Sequence, residues 1–172
     1  RAVYHSGTVG ACLTARNGGI SGVAVSQSVD AFGVEGQGWE EALGSQVWQG
    51  AGDVAAIAVG ALIQDMPDEP IVLNINVPNR LAEDMAGWKR TDVGHAPPRG
   101  LATAKLEPKP GAHDTYRVEM EWGDAIQIPE SDDGGAVMAG YASLTWLGRL
   151  EGLTPHHPTM LATERAMDEF YC

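Results

Sequence analysis

Two short apolar runs, separated by a helix-length stretch of small residues, restrict this chain to a narrow set of folds. The first is Gly22-Val23-Ala24-Val25-Ser26, bounded by glycine and polar residues. The second is Ile71-Val72-Leu73-Asn74-Ile75-Asn76-Val77-Pro78, continuously apolar at first and then alternating. Runs this short and this apolar read as strands covered on both faces, as in parallel sheets. Between them Trp39, Leu43, Val47, Val54, Ala58, Ala61 and Leu62 keep roughly helical spacing, which predicts a long helix from Trp39 to Gln64. Gly44, Gly50, Gly52 and Gly60 weaken it, at about 1 kcal/mol each against alanine, and would allow close approach to a neighbouring element. Met66-Pro67-Asp68-Glu69-Pro70 ends it. Strand, helix, strand at this spacing predicts α/β architecture with a partly parallel sheet.

The flanks add further elements. Ser6-Gly7-Thr8 supplies N-cap residues, and Asn17-Gly18-Gly19 supplies a C-terminal stop, so a short helix is expected from Ser6 to Asn17, after a strand end. Beyond Pro78 the character changes. Thr115 to Trp122 alternates, with Tyr116, Val118, Met120 and Trp122 on one side and Arg117, Glu119 and Glu121 on the other, as in a half-solvated strand. Ala102 to Glu107 is its expected partner across Pro108-Lys109-Pro110-Gly111, giving either a projecting arm or an ordinary edge hairpin. A short helix is expected over Asp132–Met138, a strand over Tyr141–Leu147 and a final helix over Pro158–Tyr171, with proline at its first position.

Composition narrows the function. The chain carries 23 Asp and Glu against 11 Lys and Arg, a formal net charge of -12. Phosphate contacts to a nucleic-acid polymer need clustered Lys and Arg, and no such cluster exists. A polybasic membrane patch is missing too, and no run reaches the roughly 20 apolar residues of a membrane span. Cys12 and Cys172 are too few and too far apart for a disulfide framework or a zinc site. They read as free thiols in a reducing compartment, which points to the cytoplasm. The first residue is Arg1 rather than Met, so the sequence is expected to be part of a longer chain.

The sharpest chemical signal is His5-Ser6-Gly7-Thr8-Val9-Gly10-Ala11. A helix start with two hydroxyls, free backbone N–H groups and a glycine suits an anion, although a plain capped helix has the same sequence. A Walker A lysine is missing. So is the Gly-x-Ser-x-Gly elbow of a serine hydrolase, and adjacent His5 and Ser6 would point apart in a strand. His156-His157 could bind metal or sit in a solvated loop. Asp132-Asp133 and Asp65, Asp68 and Glu69 could hold Mg²⁺ or act as caps. Asn74 and Asn76 share a strand face, and either bind a ligand or satisfy loop backbone.

In order along the chain, Ser6-Gly7-Thr8-Val9-Gly10-Ala11, Gly22-Val23-Ala24-Val25-Ser26, Leu73-Asn74-Ile75-Asn76-Val77-Pro78, Gly87-Trp88-Lys89-Arg90-Thr91 with Gly94, then Asp133, Ala136-Val137 and Gly140-Tyr141-Ala142-Ser143-Leu144-Thr145 resemble the SurE family of 5'/3'-nucleotidases. The resemblance covers residues 3 to about 147. It implies a Rossmann-like three-layer α/β core with a mixed, partly parallel sheet, a projecting β-hairpin and a C-terminal helix. As domains it implies one unit over 1–172, incomplete at its N-terminus: core over 1–80, hairpin arm and closing strand over 81–147, and a tail over 148–172. It implies a divalent-metal (Mg or Mn) phosphatase for nucleoside monophosphates or other small phosphate monoesters, working as a homodimer or tetramer. Ser6, Gly7 and Thr8 match the family's phosphate-side element. The family's metal ligands precede that element, and no position of this sequence matches them. Negligible hydrolysis by these 172 residues alone is therefore expected.

Departures from the family pattern are His5 in place of Tyr, Asp92 where a basic residue is common, and Trp146 in place of Pro. The stretch from Ser28 to Gly38 looks inserted and the tail from Gly148 is distinct. A non-catalytic binding or assembly protein on the same fold is the alternative, and a hydrolase with Ser6 as nucleophile a third.

Overall fold

A computed structural model describes residues 2–29, 43–96, 103–111, 113–121, 123–124, 126–149, 152, 154 and 156–171. The inserted-looking stretch falls outside these residues from position 30 onward, as do Trp39 and Trp122.

Among the described residues a central sheet of four strands has the order β1-β2-β6-β3. Strand β1 (Gly22–Gln27) runs parallel to β2 (Val72–Val77), with Gly22 opposite Val72. Strand β6 (Ala142–Leu147) runs antiparallel to β2, and β3 (Trp88–Arg90) runs parallel to β6. The sheet is thus mixed and partly parallel, as the two apolar runs require.

Side-chain alternation gives the sheet two different faces. On one, Val23, Val25, Leu73, Ile75, Val77, Ala142 and Leu144 form the hydrophobic core with Ala51, Val54 and Ala58 of helix α2 (Trp48–Leu62). The other face is covered by α1 (Gly7–Asn17): a Cβ built on Gly22 would lie 2.7 Å from Cys12 Cβ. Helix α3 (Asp133–Met138) packs on β6 and β2 and buries Ala136 completely.

Helix α2 starts later than the apolar spacing predicts. Residues 43–44 are helical but separated from it by a break at 45–47, where Val47 leaves the helical region at φ -99°, ψ 72°. The chain breaks there because the Val47 N–H donates to Asn79 Oδ1 at 2.7 Å instead of entering a helix. Of the glycines, Gly50 fulfils the close-approach expectation, since a Cβ would lie 2.0 Å from the Arg80 carbonyl oxygen, whereas positions 52 and 60 face open space.

The hairpin forms as a separate two-stranded sheet, β4 (Thr103–Pro108) with β5 (Tyr116–Glu121). Its apolar side chains lie open: Leu106 is 64% exposed, Tyr116 51% and Val118 56%. The hairpin thus stands clear of the core, as the projecting arm among the two expected arrangements. Helix α4 (Pro158–Tyr171) has the expected bounds and is exposed at every residue except the partly covered Met160.

Candidate functional site

Helix α1 is joined to β1 by a tight turn and runs back along it, so its N-terminus lies at the carboxyl edge of the parallel pair. In open α/β sheets that edge is where ligands bind. The residue entering the helix, Ser6, is extended (φ -80°, ψ 115°), and its Oγ accepts the Val9 N–H at 3.2 Å. The Ser6 carbonyl accepts the Gly10 N–H at 2.8 Å. The N–H groups of Gly7 and Thr8 have no acceptor within the helix. Gly7 and Thr8 are exposed, and a Cβ on Gly7 would meet nothing within 4 Å. The segment leading in is a 3-10 turn over Ala2–His5, not the expected strand end, closed by a Ser6 N–H bond to the Val3 carbonyl at 3.3 Å.

The three residues expected at a phosphate thus open the helix, with Gly7 and Thr8 exposed. The Ser6 hydroxyl uses a lone pair for the cap and keeps its own proton to donate. The exposed start of α1 leaves two backbone N–H groups and the positive helix end open to solvent. No bond joins His5 to Ser6 among the described residues, so the nucleophile–base pairing needed for a Ser6 hydrolase is not seen there.

A second group at the same edge is one the sequence did not single out. Gln27, the last residue of β1, donates from Nε2 to Gln46 Oε1 at 2.9 Å and to Asn79 Oδ1 at 3.0 Å. Asn79 also donates its backbone N–H to Ser28 Oγ at 3.1 Å and its Nδ2 to the Ser45 carbonyl at 3.2 Å. These amides tie the ends of β1 and β2 to the start of α2. Gln27 Oε1 is left buried without a partner. Only the spacing of two polar residues just past two apolar runs hinted at such a tie.

The face beneath α1 is polar at its centre. Thr91 Oγ1 lies 2.8 Å from Ser143 Oγ and 2.7 Å from Thr145 Oγ1, all buried. Asn74 stands opposite Thr145 in the ladder, 2% exposed, with Oδ1 unpartnered. It therefore does not satisfy loop backbone through that oxygen. Asn76 is only half-buried.

The other candidates serve the fold. Asp133 Oδ1 accepts the N–H groups of Gly94 (3.1 Å) and Gly134 (2.8 Å), tying α3 to the loop after β3. Asp92 is exposed, and its backbone N–H donates to the Ser131 carbonyl at 2.9 Å. His157 Nδ1 accepts the Thr159 N–H at 3.2 Å and so caps α4. Glu69 pairs with Arg16 and Arg149. Among the described residues no three His, Cys, Asp or Glu side chains come together as a metal site. Partial burial between α1 and the start of β1 pushes the Cys12 thiol up from its ordinary range, so it stays protonated near neutrality. No helix among the described residues is long and apolar enough to cross a membrane.

A family model described as survival protein SurE matches residues 1–99, more than half of the 172. The structure is similar to the crystal structure of the SurE protein from Aquifex aeolicus, with a TM-score of 0.62 and 21% identity. That match covers 96% of this chain and 59% of the other, so the chain spans about three fifths of the length of that relative. At this identity the structural likeness speaks for the fold, and the family match carries the relationship.

Proposed function

The chain belongs to the SurE family, and on that premise we propose that it provides the phosphate-binding side of a phosphomonoesterase acting on nucleoside monophosphates. Ser6, Gly7 and Thr8 would hold the phosphoryl group. The observation that carries this reading is the open N-terminus of α1, where Gly7 faces free space and two hydroxyls flank N–H groups without helical acceptors.

The chemistry these residues supply is electrostatic. Charge on the equatorial oxygens of a transferring phosphoryl group is stabilised by preorganised donors that need not reorient. Backbone N–H groups at Gly7 and Thr8 are fixed by the helix, and the Ser6 hydroxyl is oriented by its bond from Val9. Removing one such donor typically costs 10²–10³ in rate, roughly 3–4 kcal/mol. A metal-dependent nucleotidase would draw its ion from ligands other than those described, so no step is assigned to it on these residues.

The test is an amide NMR titration of the 172-residue chain with 5'-AMP and Mg²⁺, alongside a phosphate-release assay. The expected result is a saturable shift at Gly7 and Thr8 that Thr8→Ala weakens, with negligible phosphate release. Shifts confined to other parts of the chain would overturn the assignment of the site. Phosphate release abolished by Ser6→Ala would keep the site and overturn the expected inactivity.

One observation favours the second reading, a binding or assembly protein on the same fold. The hairpin exposes Leu106, Tyr116 and Val118, and α4 exposes Leu161, Met167, Phe170 and Tyr171. Such apolar surface suits contacts between subunits, in a homodimer or tetramer. Light scattering of the chain, intact and without residues 156–172, separates assembly from the nucleotide chemistry.

A further inference from the structure

The opposite end of α1 carries a cleft with a different character. It has a volume of about 510 Å³ and is lined by Leu13, Thr14, Arg16, Asn17, Pro70, Gly148 and Arg149. That is the size of a small-molecule site. Helix α1 has 11 residues, so the cleft lies about 16 Å from Ser6 along the helix axis.

This cleft places two of the few cations of an acidic chain side by side. Arg16 is nearly covered, its side chain 14% exposed, and its Nε donates to the Pro70 carbonyl at 2.7 Å. That bond fixes the plane of the guanidinium before any ligand arrives. Arg149, 67% exposed, faces the same point from the end of β6. Both meet one oxygen, Glu69 Oε1, at 3.4 Å from Arg16 Nη2 and 3.5 Å from Arg149 Nε. Glu69 is itself 66% exposed on a solvated turn, and pairs this exposed and this long are worth about 0–1 kcal/mol.

An oxyanion thus already marks the meeting point of the two guanidiniums, held by two long contacts on an exposed side chain. Arginine pairs of this kind prefer bidentate contact with a phosphate or carboxylate. The negative end of α1 does little to oppose it. The carbonyls of Thr14, Ala15 and Arg16 are already taken by the N–H groups of Gly18, Gly19 and Ile20. Leu13 and Pro70 add an apolar wall beside the charged pair.

The geometry points to a second anion site, for the phosphate group of a small organic phosphate, gripped by Arg16 and Arg149 after Glu69 swings out. Glu69 is then an internal competitor, and Asp68 on the same turn keeps the affinity modest. The site stands apart from the phosphate-binding reading of Ser6–Thr8 and does not rest on it.

The experiment is an amide NMR titration with inorganic phosphate in EDTA at constant ionic strength, where a metal-assisted site is silent. The expected result is a saturable shift at Arg16, Asn17 and Gly148. Glu69→Gln should tighten binding about fivefold and Arg149→Ala weaken it about tenfold, in line with a charge-assisted pair. Arg16→Lys, which keeps the charge but loses the fork, should weaken it too. Thr8→Ala should leave it unchanged. A purely structural role for Glu69 would not produce tighter binding on its removal. No saturable shift, a response indifferent to Glu69→Gln and Arg149→Ala, or loss of binding in Thr8→Ala would each overturn the proposal.

Discussion

Gly50 shows how a single residue sets a contact between elements. It sits in the first turn of α2, buried, with the Arg80 carbonyl oxygen 2.0 Å from where a Cβ would stand. Backbone cannot yield as a flexible side chain can, so an added methyl must push helix and loop apart. Overpacking of this kind costs roughly 1–3 kcal/mol or more, while the helix propensity gained from alanine returns only about 1 kcal/mol. Gly50→Ala should therefore lower the unfolding free energy by about 2 kcal/mol, seen as a shifted denaturant midpoint. Gly52→Ala, on open space in the same helix, should leave the midpoint unchanged or raise it. Equal effects at the two positions would show that the close approach at Gly50 is not what constrains α2.

At the scale of elements, the caps decide which helices can be read from sequence. α1 was legible because its cap is local: Ser6 serves Val9, three residues on. α4 was legible in its bounds for a similar reason, Pro158 at the first position, with His157 beside it capping Thr159. The start of α2 was not, because its cap comes from Asn79, 32 residues away in sequence. Asn79→Ala removes an acceptor shared by Val47 N–H and Gln27 Nε2 and leaves both donors with less. A loss of about 1–3 kcal/mol is expected, with amide exchange accelerated at the start of α2 before the sheet. Uniform acceleration across the sheet would contradict that assignment. The same distinction explains the site. Ser6, Gly7 and Thr8 are contiguous and can be named as a candidate from sequence alone, whereas Gln27, Asn79, Thr91, Ser143 and Thr145 meet only through the fold. Strand β3 has three residues, too few for periodicity to register. In the hairpin the alternation gave the pairing but not the exposure, because period two says which side chains share a face and nothing about what that face touches.

On the molecular scale, excess negative charge competes with a few exposed ion pairs, and the two respond to conditions differently. Lys89 is held above its ordinary range by its hydrogen bond to Glu130, aided by that carboxylate's charge, and its Nζ lies 4.1 Å from the centre of the Tyr141 ring. A raised folded-state pKa contributes stability that is full below the unfolded value, about 10.4, and is lost as pH climbs through the folded one. Lys89→Met should accordingly flatten the fall in melting temperature above about pH 10, relative to the unmodified chain, and leave its shape near neutrality alone. Salt tests the opposite term. With a formal charge of -12, folding gathers like charges into a smaller volume, and the repulsion reaches across a Debye length of about 30 Å at 0.01 M and about 10 Å at 0.1 M. The pairs Arg16–Glu69, Arg149–Glu69 and Lys89–Glu130 are screened over the same range, and with an exposed carboxylate in every one each contributes only about 0–1 kcal/mol. Relief of repulsion should win, and the melting temperature should rise as sodium chloride goes from about 0.01 to about 0.1 M. The rise should shrink in a variant with several exposed carboxylates neutralised, such as Asp65→Asn with Asp68→Asn and Glu164→Gln. A melting temperature that falls with salt would mean that the local pairs outweigh the global field, and that the clustered arginines near Glu69 hold the fold more tightly than their exposure implies.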